Sequence, residues 1–173
     1  MSAFAGIENA SISGGGGSRN FEPGRFRVRL DGLKIVDSKR NPGTQYAVVE
    51  CSVRDFDPGV RPHLDETVAP TPVPAETFKP GDVVAWKVNM GMRAALDNLK
   101  GFGLAVMRGV ALENGSDPES IVEAQITPPV MDTLFAPNGS PAIGLEVVAT
   151  AFVIFTSKSN PFTKVTWSPV EGS

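Results

Sequence analysis

The sequence predicts a mainly β domain with helices: a five-stranded barrel with a helix between strands three and four. Three observations predict it. Arg25 to Leu30 alternate charged and apolar residues without a break. Runs rich in Val and aromatic residues recur at Tyr46–Arg54, Val83–Asn89, Leu145–Thr156 and Phe162–Trp167. Between the third and fourth of these strands, from Met90 to Val110, the apolar period changes from two to 3.6.

The first strand runs from Arg25 to Val36. Successive side chains of a strand point to opposite faces, so Phe26, Val28 and Leu30 line one face and Arg25, Arg27 and Arg29 the other, about 6.8 Å apart. Asn41-Pro42-Gly43 is a turn signal, which makes the first two strands a hairpin with Lys39 and Arg40 at its tip. On the second strand, inward Ala47, Val49, Cys51 and Val53 leave Tyr46 and Arg54 outside. Asp55–Gly81 holds six prolines that forbid regular pairing across most of it, so it reads as a long loop. On the third strand, inward Trp86 and Val88 leave Lys87 outside.

In the helix, Met92, Leu96, Leu99, Phe102 or Gly103, Val106 and Val110 recur at steps of three or four, with Asn89 as N-cap. Gly101 and Gly103 cost helix propensity and point to close packing against the sheet. Asn114-Gly115 is a turn. Ser116-Asp117-Pro118-Glu119 is a capping box that opens a short helix ending before Pro128 and Pro129. Asn138-Gly139 is a further turn. The last two strands form a second hairpin, with Thr163, Val165 and Trp167 on one face.

At 173 residues the chain is one domain with its own core. Residues 1–20 read as a flexible Gly-rich arm (Gly14 to Gly17), and 21–173 as a single domain with the proline loop at 55–81. The arm is suited to dock on a neighbouring subunit, which would make a homo-oligomer. It is not a phosphate-binding loop, since no Gly-Lys-Ser/Thr follows it. No run is long and apolar enough to span a bilayer, and the first ten residues lack a signal peptide's basic start. One cysteine excludes an internal disulfide and fits a reducing cytoplasm.

The net charge of −3 hides an asymmetry. Residues 1–54 carry eight Lys/Arg and five Asp/Glu, whereas 109–157 carry six Asp/Glu and no Lys/Arg. Such a polarised surface steers an anionic ligand to one side, or drives head-to-tail association.

Catalytic chemistry has little to work with. His63 is the only histidine and Cys51 the only cysteine, so neither a nucleophile–base set nor a zinc site can be assembled. Asp55-Phe56-Asp57 and Asp65-Glu66 lack metal-loop spacing and read as a solvated acidic loop. The expectation is no enzyme activity, no cofactor and no metal. The basic and aromatic set is the better candidate, because single-strand binders combine a positive groove with aromatic platforms. That set is Arg25, Arg27, Arg29, Lys39, Arg40, Tyr46, Arg54 and Lys87, with Lys158, Phe162 and Lys164 in the closing hairpin.

Three strands, a helix and two strands are the elements of the OB-fold, in order. The run PGRFRVRLDGLKIVDSKRNPGTQYAVVECSV looks like the opening hairpin of phage-encoded single-stranded DNA-binding proteins. PGDVVAWKVNMGMRAALDNLKGF looks like their third strand and helix, and TAFVIFTSKSNPFTKVTWSP like their closing hairpin, with Thr156, Lys158, Phe162 and Trp167 at recurrent positions. The resemblance implies sequence-tolerant binding of single-stranded DNA in phage replication or recombination, in the cytoplasm of the infected host. It also implies replication or recombination proteins as partners, although the last five residues lack the acidic tail that recruits them in many such proteins. Two other readings fit the same sequence: a structural virion protein of a decoration or tail, and a metal-dependent enzyme using the acidic loop.

Overall fold

The computed structural model describes residues 19–58, 77–92, 94–136, 139–155 and 161–170. The N-terminal arm through Ser18, most of the proline loop with His63, Asp65 and Glu66, Asn138, and residues 156–160 with Lys158 lie outside them. The described chain is a curled six-stranded mixed sheet, a half-barrel, with two helices. Its strands are β1 (Arg19–Asn20), β2 (Gly24–Asp37), β3 (Gln45–Asp57), β4 (Val83–Asn89), β5 (Glu146–Phe155) and β6 (Pro161–Pro169). Helix α1 spans Ala95–Glu113 and α2 Pro128–Leu134, with 3-10 turns at Pro118–Ser120 and Glu123–Gln125 between them.

The sheet order is β1-β4-β3-β2-β5-β6. β2, β3 and β4 follow one another as antiparallel neighbours, and β5 returns after the helices to lie beside β2. That is a Greek-key arrangement. The five long strands are those the sequence predicts. The sixth, β1, is two residues in parallel register with β4, Arg19 on Val84 and Asn20 on Ala85. It is too short to carry a periodic signal.

Burial explains the register of β2. Phe26, Val28 and Leu30 are fully buried, while Arg25, Arg27 and Arg29 are exposed. Each of the three apolar side chains gains roughly 1.5–3 kcal/mol by leaving water. A one-residue slip would forfeit that gain and bury three guanidinium groups. The partner residues Ala47, Val49, Cys51 and Val53 on β3 are fully buried too. Gly43 closes the hairpin with φ +87°, a conformation open to glycine at no steric cost.

Two β-bulges interrupt the β2–β3 ladder, one on each strand. Arg54 is the extra residue on β3 and Asp31 the extra residue on β2. The second bulge resets the pleat, so Leu33 turns inward against Val49 and Lys34 outward.

No ladder joins β4 to β6 among the described residues. Aromatic rings fill that side. Trp167 of β6 lies 5.2 Å from Trp86 of β4, 4.9 Å from Phe102 of α1 and 5.6 Å from Phe21, centroid to centroid. Helix α1 therefore sits mainly on β6 and the seam. Phe78, at the far end of the proline loop, is buried against Phe26 and Phe56, at 4.9 and 5.1 Å.

The structure corrects the helical expectations at both helices and between them. α1 starts at Ala95, not near Met90, and its N-cap is Ala94 without a side-chain bond. Asn89 instead uses its Oδ1 to accept from Gly91 N–H at 2.9 Å, an Asx turn that ends the strand. Met92, ahead of the helix, and Leu96, in its first turn, stay 64% and 69% exposed, off the predicted core face.

The segment after Asn114 forms two 3-10 turns, and Pro128 and Pro129 open α2 rather than close a helix. Proline suits the first turn of a helix, where its missing N–H has no partner to lose. Asp117 does cap its turn, accepting from Glu119 N–H at 3.0 Å. Gly103 is a close-packing position, but its neighbours are Met131 and Ile126, not the sheet, and Gly101 faces open space. Arg108 ties the turns to α1 by donating to the Ile121 carbonyl from Nε and Nη2, at 3.2 and 3.1 Å.

Candidate functional site

The outer face of the sheet collects the predicted basic residues. Across β3, β2, β5 and β6, one row reads Asp57, Arg25, Thr150, Thr166, and the next reads Asp55, Arg27, Val148, Ser168. An open depression of about 450 Å³ follows these rows, lined by Arg25, Arg27, Asp55, Asp57, Val148 and Ser168 among others.

The arginine stripe exists, but carboxylates accompany it. Arg27 Nε donates to Glu146 Oε1 at 2.7 Å, and Arg29 Nε to Asp31 Oδ1 at 2.9 Å. Ser52 Oγ donates to the other oxygen of Asp31. Asp55 and Asp57 stand opposite Arg27 and Arg25 in the ladder. Arg25 makes no ion pair with a described residue. The outer face around the stripe is therefore near neutrality, and two of its three guanidinium groups are already engaged. Exposed pairs of this kind are worth about 0–1 kcal/mol, so a phosphate could displace either carboxylate at small cost. The carboxylate would remain nearby and oppose the phosphate.

The other sequence candidates fall in two places. Lys39 and Arg40 are exposed at the β2–β3 turn, as expected from the Asn41 signal. Tyr46 and Lys87 are neighbours on the outer face of β3 and β4, with Lys87 Nζ 4.3 Å from the centre of the Tyr46 ring. Lys34 lies on the same face, paired to Glu50 at 2.8 Å. Arg54 is exposed on its bulge.

At the opposite edge, Phe162 is 49% exposed on β6, and Lys164 follows two residues along the same face. Lys164 pairs in register with Phe152, one row from Thr150 and Arg25. Residues 147–170 contain no Asp or Glu, so this corner of the sheet has basic and aromatic groups without carboxylates of its own. Trp167 belongs to the core seam and is not part of this surface.

Sequence reasoning missed the counter-charges Asp55, Asp57, Asp31 and Glu146. A signal for the first two was present. Arg27 and Asp55 are equidistant from Asn41, as are Arg25 and Asp57, so a hairpin turning at Asn41 places them opposite each other. Glu146 is distant in sequence and carried no such signal.

The acidic half lies elsewhere. Glu113, Asp117, Glu119, Glu123 and Asp132 are exposed on the end of α1, the 3-10 turns and α2. Among the described residues, no group of three His, Cys, Asp or Glu is placed to hold a metal ion. Nor is any described helix long and apolar enough to cross a membrane. Cys51 is wholly buried in the core, and its thiol is pushed well above its ordinary range by desolvation, then by Asp31 and Glu50. No protein-family model matches the chain, and no curated protein matches it.

Proposed function

We propose that the protein binds single-stranded DNA without strong sequence preference, through the outer face of its curled sheet, and performs no catalysis itself. The observation that carries this reading is the corner formed by Phe162, Lys164 and Arg25. It joins an exposed ring to two cations that form no ion pair with a described residue, although Asp57 stands opposite Arg25 in the ladder. Bases stack on such rings for roughly 1–3 kcal/mol each, and the cations neutralise phosphates. Tyr46 and Lys87 provide a second aromatic–cation pair on the same face.

The topology supports an OB-like barrel as the frame for this activity. A Greek key with a helix after its third long strand is the OB plan, and OB-folds take oligonucleotides on the face of strands two and three and between two loops. In this chain the first of those loops is the turn with Lys39 and Arg40, and the second falls on the residues between β5 and β6, which include Lys158 and lie outside the described residues. A role in phage replication or recombination follows only from the sequence resemblance and is part of the same proposal.

Fluorescence anisotropy with a labelled single-stranded oligonucleotide tests the reading. Binding is expected to be salt-sensitive, weaker for duplex, and reduced by Phe162→Ala and by Lys164→Ala. Absence of binding at low salt would overturn it and leave the polarised surface to an assembly role.

A further inference from the structure

The structure holds a second concave surface, away from the outer sheet face. It is a groove of about 460 Å³ at the end of the half-barrel, where the β2–β3 hairpin meets α1 and α2. Ile35, Ala47, Met90, Leu99, Met131 and Phe135 are among its lining residues. Leu96 also lines it while remaining 69% exposed, and Ile35 is 39% exposed. An apolar groove of this size with an exposed leucine at its rim has the shape and chemistry of a docking site for one or two apolar side chains.

We propose that the groove receives the chain's own N-terminal segment, with Phe4 and Ile7 as the inserted side chains. Two observations favour that occupant. The segment is apolar at Met1, Ala3, Phe4, Ala5 and Ile7, with Glu8 its one charge. Its tether, which includes Gly14 to Gly17, permits the chain to reverse direction, and reversal is required. The point of departure sets that requirement: Arg19 pairs in parallel with Val84, at the end of β4 far from the groove at Met90.

The distances also match. From Val84 to Met90 is about 20 Å along the strand. Residues 8–18 join Ile7 to Arg19, and a glycine-rich chain of that length has an r.m.s. span of about 19 Å. A tether that matches its span gives an effective concentration in the millimolar range, so even weak insertion is favoured over capture by a second copy. Charge adds little, because both Lys100 and Asp132 line the groove.

Paramagnetic relaxation enhancement on the full chain tests this. A nitroxide is attached through Ala3→Cys; Cys51 is fully buried and stays unlabelled. The amides of Leu96, Lys100 and Met131 are expected to broaden when tag and ¹⁵N are on the same molecule. They are expected to recover in the tagged Phe4→Ser/Ile7→Ser variant, whose changes lie outside the folded sheet. Broadening only when tag and ¹⁵N sit on different molecules would overturn the proposal in favour of a second copy. No broadening, or broadening that survives the double substitution, would overturn docking of these side chains.

Discussion

Arg27 on β2 donates to Glu146 on the adjacent strand β5 at 2.7 Å, across the face that would meet a nucleic acid. A carboxylate there competes with phosphate for the same guanidinium. On the proposed function, Glu146→Gln should therefore tighten binding of single-stranded DNA. It should also steepen the log–log salt dependence by up to about 0.7, one phosphate contact on a single strand. Arg27→Ala and Arg29→Ala should change the slope little, whereas Arg25→Ala should make it shallower by about 0.7. Titrations at four salt concentrations measure this. Equal slopes for wild type, Glu146→Gln and Arg25→Ala would remove the stripe from the binding path.

Phe162 and Tyr46 make a contrasting pair. Phe162 is half exposed, whereas Tyr46 is partly covered and carries Lys87 on its ring. Phe162→Ala should cost about 1–3 kcal/mol of binding with an unchanged salt slope, since stacking involves no ion release. Tyr46→Ala should cost affinity and also alter the slope, because it frees Lys87 from its position. Urea unfolding should place Phe162→Ala within about 0.5 kcal/mol of wild type, as for other surface changes. A binding loss matched by a stability loss would assign Phe162 to packing.

Much of this fold was legible because one-sided burial imposes a period of two. The inward sets Phe26–Val28–Leu30 and Ala47–Val49–Cys51–Val53 are the ones alternation predicts, and so is inward Trp86. Helix α1 was legible as a helix but not at its start. Met92 and Leu96 have the right spacing and the right chemistry, yet Met92 falls before the helix begins and Leu96, in its first turn, lies beside the buried stripe of Ala95, Leu99 and Phe102 and stays in water. Pro128 was ambiguous in principle, since proline both ends and begins helices. The basic candidates were legible as residues but not as an electrostatic surface. Asp31, two residues beyond Arg29, lies on the arginine face by alternation alone and was within reach of the sequence, whereas Glu146 depends on a strand that returns from far along the chain.

The two glycines of α1 separate propensity from packing. Gly101 faces open space, so Gly101→Ala should raise stability by about 0.8–1 kcal/mol, the helix-propensity difference. A Cβ at Gly103 would stand 2.7 Å from Met131 Sδ and 3.0 Å from Ile126 Cγ2. Met131 can yield, but the branched Ile126 is held beside the 3-10 turn. Overpacking of that kind costs roughly 1–3 kcal/mol, which exceeds the propensity gain. Gly103→Ala should thus be net destabilising, and chemical denaturation of the two variants in parallel reads the sign. A Gly103→Ala protein as stable as Gly101→Ala would mean that α2 is not held against α1 in solution.

Cys51 gives the fold a pH dependence at the alkaline end. Its thiol is wholly buried in the core, and desolvation, followed by the charges of Asp31 and Glu50, raises its pKa in the folded state. The unfolded thiol ionises near its ordinary value of about 8.5. Below that pH both states hold the proton, so Cys51 contributes no slope. Above it the unfolded chain loses the proton while the folded chain keeps it, and stability falls by about 1.4 kcal/mol per pH unit until the folded pKa is reached. Cys51→Ala should remove this component while costing some core packing at every pH. The difference in unfolding free energy between wild type and Cys51→Ala should therefore be flat from pH 6 to about 8 and then shrink as pH rises to about 10. Over the same range, the native thiol should resist alkylation by iodoacetamide and react on addition of denaturant, because the thiolate is the nucleophile. A pH-independent difference together with rapid native alkylation would place Cys51 in contact with solvent and contradict the buried β3 face.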